Sequence, residues 1–248
     1  MIKRAARNIE DNLDQLSGKG KMTQGKAASV FKKIRFTTDA TECVSDFFIE
    51  AIIEKAAPKI ELFNRLAAIN SPCAIFATNT SSLSVSIIQE AIVQPERVAG
   101  MHFFNPPGIM KLVEVIKGRK TSDETLQVIA HTCRLMNKTP VHCDDAPGFI
   151  VNRVARHYYL EAMKIVELGI AGINEVDELM EASGFKMGPF KLMDLIGMDI
   201  NLAVSKSLYE GFQRAERFAP SSLQEDKVAR GELGRKSGTG FYTYDTSA

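Results

Sequence analysis

The chain has 248 residues, 45% of them hydrophobic and 25% charged, and its 31 basic and 30 acidic side chains leave a formal net charge of +1. That balance is ordinary for a globular protein and excludes a broad basic surface for nucleic acid, although a local patch for a phosphorylated ligand survives neutrality in the sum. Cys43, Cys73, Cys133 and Cys143 form no CxxC pair, so no metal site or dithiol centre is expected and the thiols read as reduced. No stretch reaches the roughly 18 apolar residues of a membrane span, and the opening MIKRAARNIEDNL is a charged amphipathic helix and not a signal peptide. The expectation is a cytoplasmic protein with no membrane or nucleic-acid partner, although a targeting segment ahead of Met1 would escape this reading.

Residues 2–16 place Ile2, Ala6, Ile9, Leu13 and Leu16 at helical spacing, and after the Gly18/Gly20 break a short helix runs over 24–33. The pattern then alternates. Strands are read at 46–52, 73–78 and 97–104, separated by helices at 57–69 and 84–92. After a loop from Asn105 to Gly108, KLVEVIKG reads as a strand, 122–136 as a capped helix and 139–144 as a last strand. Such alternation predicts a mainly parallel α/β sheet. Beyond Pro147 the strand signals stop: FIVNRVARHYYLEAMKIVELG, INEVDELMEASG, PFKLMDLIG and MDINLAVSKSLYEGF are all helical. The reading is two domains, 1–146 and 147–248, packed around a cleft with no long linker.

His102 closes RVAGMHFF just before Asn105-Pro106-Pro107, at the carboxyl end of a strand, where open α/β sheets bind ligands. Glu114 lies on the next apolar strand, where a carboxylate has no packing reason to be and can orient an imidazole. Ser81, in TNTSS, and Asn152, in the first turns of FIVNR, add two neutral hydrogen-bond donors; taken singly, a helix cap and a partly exposed helix residue describe them as well. Together the four suit removal of a hydroxyl proton while hydride leaves the same carbon.

FIEAIIE, ATNTSSL, GMHFFNPP, MKLVEVI, DAPGFIVNR, GPFKLMDLIGMD and GRKSGTGFY, in that order and spacing, resemble the 3-hydroxyacyl-CoA dehydrogenase family over essentially the whole chain, in its short-chain or 3-hydroxybutyryl-CoA type. The resemblance implies a Rossmann-type NAD-binding domain followed by a helical domain that binds acyl-CoA substrate and pairs into a homodimer. It makes His102 the base, Glu114 its partner, and Ser81 and Asn152 the ligands of the reacting oxygen. It places Glu54, Lys59, Asn79, Ser81, His102, Asn105 and Lys236 on the NAD side.

One departure from the family's pattern stands out. The strand, G-x-G-x-x-G loop and second strand that open its NAD domain have no counterpart here, and Gly18-Lys19-Gly20-Lys21 follows no apolar strand. The expectation is therefore an incomplete doubly wound sheet, lacking its middle strand, and weak NAD binding. The function implied is oxidation of L-3-hydroxyacyl-CoA to 3-ketoacyl-CoA with NAD, impaired in this form. The alternatives are a non-catalytic relative, crystallin-like or acyl-CoA-binding, and another dehydrogenase with a helical second domain, such as the 6-phosphogluconate type.

Overall fold

The computed structural model describes residues 2–245; the first residue of the N-terminal unit read from the sequence, and residues 246–248 of the C-terminal one, lie outside it. Two helices come first, α1 (Ile2–Gly18) and α2 (Gln24–Phe31). Thr23 caps α2 by accepting from the Lys26 amide, and α1 ends at Gly18, so the glycine pair is a helix-ending turn as its context implies. The two helices pack on each other, and α1 leaves none of its residues fully buried.

Five strands follow, β1 (Phe47–Glu50), β2 (Ile75–Thr78), β3 (Val98–Phe103), β4 (Leu112–Lys117) and β5 (Thr139–Asp144), hydrogen-bonded in the order β1-β2-β3-β4-β5. The sheet is continuous, with β1 at one edge, which corrects the expectation of a sheet without its middle. Helices α3 (Ala56–Ala67) and α4 (Val85–Glu90) connect β1 to β2 and β2 to β3, and these pairs are parallel. The β3–β4 connection, 104–111, is shorter than the dozen or so residues a parallel crossover needs, so β4 runs antiparallel to β3. Helix α5 (Asp123–Leu135) then brings β5 back parallel to β4. The alternation of strand side chains sorts the core into two faces. Ile75, Ala77, Ala99, Met101, Val113 and Val115 pack on α5, whereas Phe76, Val98 and Ile116 pack with Phe63, Val85 and Ile88 of α3 and α4. Each fully buried side chain of this size contributes about 1.5–3 kcal/mol.

The same parity fixes the chemistry. Gly100 and His102 share Val98's face of β3, and Glu114 shares Ile116's face of β4, so both polar residues look toward the α3/α4 side. Gly100 is needed there because a Cβ would stand 2.7 Å from the Ile116 side chain.

From residue 151 the chain is helical: α6 (Val151–Glu167), α7 (Ile173–Ala182), α8 (Pro189–Ile196), α9 (Met198–Gly211) and α10 (Ser222–Ala229), the last too polar to have been read from the sequence. Their core joins Tyr159, Met163, Phe190, Met193 and Met198. Two buried aspartates tie the ends together. Asp177 accepts from the Phe190 and Lys191 amides that open α8, and Asp194 accepts from the Phe241 and Tyr242 amides and the Tyr244 hydroxyl, folding the GRKSGTGFY segment back onto the bundle.

Candidate active site

His102 and Glu114 stand directly opposite each other in the antiparallel β3–β4 ladder, with imidazole Nδ1 2.8 Å from the Glu114 carboxylate. Both are buried. Burial pushes the Glu114 carboxyl up, but the hydrogen bonds from His102 and from the Val151 and Ile150 amides outweigh it and hold the group below its ordinary value. An ionised carboxylate only accepts, so Nδ1 carries the hydrogen, and in the neutral imidazole Nε2 is the acceptor, facing away from Glu114. The imidazole is flanked by two phenylalanines, Phe104 with its ring centroid at 4.6 Å and Phe149 at 5.8 Å.

The other oxygen of Glu114 reaches the second half of the chain. It accepts from the amides of Ile150 and Val151, each at 2.9 Å, at the N-terminus of α6. Four unpaired amides open every α-helix, and here a carboxylate satisfies two of them where the helix dipole favours negative charge. The approach depends on two successive left-handed residues, Gly148 (φ 72) and Phe149 (φ 49). Gly148 also has no room for a side chain, since a Cβ would sit 2.4 Å from Leu208. Nearby, Asp145 accepts from the Ser84 hydroxyl at 2.6 Å and the Ser86 amide at 2.7 Å. None of these amide and hydroxyl partners was singled out in the sequence. Only the DAPGF run signals them, by putting a turn-forming glycine just ahead of a helical segment.

Asn152, the second residue of α6, donates from Nδ2 to the Ser81 carbonyl at 3.3 Å, so these two sequence candidates come together. Ser81 does not cap α4: Ser84 does, accepting from the Ile87 amide. The Ser81 loop is instead built around Glu54. One oxygen of that carboxylate accepts from the Thr80 hydroxyl at 2.6 Å and the Ser81 and Ser82 amides at 2.8 and 3.1 Å. Burial raises the Glu54 carboxyl, yet these bonds and the Lys59 charge bring it below its usual value. Lys59 is fully buried, 2.7 Å from Glu50 and 3.3 Å from Glu54. Asn79 accepts through Oδ1 from the Phe103 amide at 2.8 Å, next to His102. Asn105 is exposed at the head of the loop after β3 and begins a cis peptide to Pro106. Lys236 is placed apart from this group, paired with Asp199 at the start of α9. Among the described residues no group of three or more His, Cys, Asp or Glu side chains is arranged to hold a metal ion.

Residues 1–146 match the family model for the NAD-binding domain of 3-hydroxyacyl-CoA dehydrogenase, and residues 148–244 match the model for its C-terminal domain. The chain belongs to the 3-hydroxyacyl-CoA dehydrogenase family. It is 41% identical over 245 residues to the 3-hydroxyadipyl-CoA dehydrogenase of Escherichia coli, covering 98% of this chain and 52% of the relative, so it spans about half of that protein's length. It is 40% identical to a probable 3-hydroxybutyryl-CoA dehydrogenase of Deinococcus radiodurans, over 95% of this chain and 85% of the relative. The (S)-3-hydroxybutyryl-CoA dehydrogenase from Ralstonia eutropha superposes with a TM-score of 0.94 at 34% identity, covering 99% of this chain and 87% of that one. Rossmann-type sheet and helical C-terminal half therefore stand as the resemblance implies. The family uses NAD, and the non-catalytic alternative is not favoured by these relatives. No helix among the described residues is long and apolar enough to cross a membrane.

Proposed function

We propose that the chain oxidises an L-3-hydroxyacyl-CoA to the 3-ketoacyl-CoA with NAD as hydride acceptor. The observation that carries this reading is the His102–Glu114 pair, 2.8 Å apart and buried, with Glu114 ionised and Nε2 left free to accept. His102 Nε2 takes the proton of the substrate hydroxyl, and Glu114 stabilises the imidazolium that forms. Ser81 and Asn152 donate to the same oxygen as it becomes a carbonyl, and in the reverse direction His102 returns the proton. Phe104 and Phe149 hold water away from the imidazole, which strengthens its interaction with Glu114.

Bound NAD supplies the acceptor for the hydride on the substrate carbon. The groups present fit its nicotinamide end: Glu54, Asn79 and Ser81 lie together where β1 and β2 end, with Asn105 beyond β3. Among the described residues no glycine-rich turn leads from a strand into a helix N-terminus, the arrangement that receives a pyrophosphate. Lys236, on the helical half, is kept as a more distant candidate for the cofactor. The relatives' names point to short acyl chains, one of them carrying a terminal carboxylate.

In this reading residues 1–146 form the NAD-binding unit, and 147–248 bind substrate and pair with a second copy. Val154, Leu195 and Ile200 support the pairing, because they expose apolar surface on α6, α8 and α9. The test is reduction of acetoacetyl-CoA by NADH, with His102→Gln as the control. Turnover abolished by that substitution supports the reading, and turnover unaffected by it refutes it.

A further inference from the structure

Glu54 and Lys59 belong to a chain of polar contacts that runs from the sheet to Ser81. The Thr78 hydroxyl donates to Glu50 at 2.7 Å, Lys59 lies 2.7 Å from the other Glu50 oxygen, and the same ammonium lies 3.3 Å from Glu54. Glu50, Lys59 and Thr78 are buried. At the far end, a single Glu54 oxygen gathers the Thr80, Ser81 and Ser82 donors: hydroxyls at 2.6, 3.4 and 3.2 Å, and the Ser81 and Ser82 amides at 2.8 and 3.1 Å.

The distances differ in a way that matters. The Ser81 amide is held at 2.8 Å, whereas its hydroxyl stands at 3.4 Å, the outer limit of a hydrogen bond. The backbone of Ser81 is therefore fixed while its hydroxyl keeps the freedom to turn to another acceptor. Lys59 supplies the fixed charge. An ammonium buried between two carboxylates holds the second one in place.

We propose that Glu54 and Lys59 are positioning residues for Ser81, which aim its hydroxyl at the substrate's 3-oxygen. This rests on the reading that Ser81 binds that oxygen. Glu54 and Ser81 then form one functional unit, and removing either removes the same interaction.

The experiment is calorimetric titration of the full chain with acetoacetyl-CoA and with butyryl-CoA, which lacks the 3-oxygen; neither titration requires NAD. The ratio of the two affinities reports recognition of that oxygen. Ser81→Ala lowers the ratio about fivefold to tenfold, the usual worth of one hydrogen bond. Glu54→Ala lowers it by a similar factor with butyryl-CoA affinity unchanged, and the double variant loses no more than either single one. If Ser81→Ala leaves the ratio alone, the assignment of Ser81 itself fails. If Ser81→Ala lowers it and Glu54→Ala does not, or if the two losses multiply, the positioning role is overturned. Should Glu54→Ala not fold, Thr80→Val decides, since it removes the 2.6 Å donor and leaves the ion pairs intact. The expected loss is twofold to threefold, and an unchanged ratio overturns the proposal.

Discussion

Replacing Glu114 by Gln changes one atom and forces a choice. The carboxylate serves two sides at once: one oxygen accepts from His102 Nδ1 at 2.8 Å, and the other from the Ile150 and Val151 amides at 2.9 Å. A carboxamide has one accepting oxygen. If that oxygen turns to His102, the NH2 group faces two amide donors and the α6 N-terminus loses both bonds. If it turns to the amides, the NH2 group donates to Nδ1, the hydrogen moves to Nε2, and the imidazole can no longer accept a substrate proton. Two hydrogen bonds outweigh one, so the second arrangement wins. Glu114→Gln should therefore fold and lower kcat by about 10² to 10⁴, the contribution of a positioned base, while acyl-CoA affinity changes little. Loss of charge at two amide bonds should also cost about 1–3 kcal/mol of stability. The sign of the pH effect follows from the lowered Glu114 pKa. The stability that this ionised group gives is present above the ordinary carboxylate range and is lost as pH falls through the depressed folded value. The wild-type advantage in Tm should thus shrink in acid. Turnover and melting measured on both proteins from neutral pH downward test this. A variant that keeps more than a tenth of wild-type kcat, or that melts with wild type at neutral pH, refutes the two-sided role of the carboxylate.

His102→Gln should lower kcat by about 10² to 10⁴ with little change in acyl-CoA affinity, measured by steady-state kinetics beside calorimetry; near wild-type turnover would mean that the base lies elsewhere. NADH should bind the 248-residue chain more weakly than low micromolar, because no described helix N-terminus presents a glycine turn to the pyrophosphate, and a low-micromolar titration would contradict this. In the helical half, Arg156 is buried without a carboxylate and donates to the Asn201 carbonyl and side chain and to Ser205, while Gln224 donates to the same Asn201 oxygen. Asn201→Leu strands these donors and should cost about 2–3 kcal/mol, or roughly 4–12 °C in Tm; an unchanged melt would show that the network carries no stability. The helical segment from residue 148 on, prepared alone, should sediment as a pair through its exposed Val154, Leu195 and Ile200, and a folded monomer at high micromolar concentration would count against pairing.

What the sequence made legible is what periodicity and exclusion can reach. Glu114 is conspicuous because its neighbours on both sides in β4 are apolar, and His102 because it lies near the end of a strand. That they face each other is not legible, because it depends on β4 running antiparallel. Had β4 run parallel, the residue opposite His102 would be set by a different register, and the carboxylate's place in the dyad would be an accident of spacing. The short 104–111 loop decides the matter, and loop length against crossover length is a signal the sequence did contain. The amides on Glu114 lay further out of reach. Backbone donors have no side-chain identity, so Ile150 and Val151 look like ordinary helix residues until the fold brings a helix end to a carboxylate 36 residues earlier. Glu54 shows the same limit from the opposite side. The family resemblance places it on the cofactor side, whereas the folded chain spends one of its oxygens on the loop that carries Ser81. A charged residue near a site can face the ligand or face the protein, and only the contacts on its far side tell which.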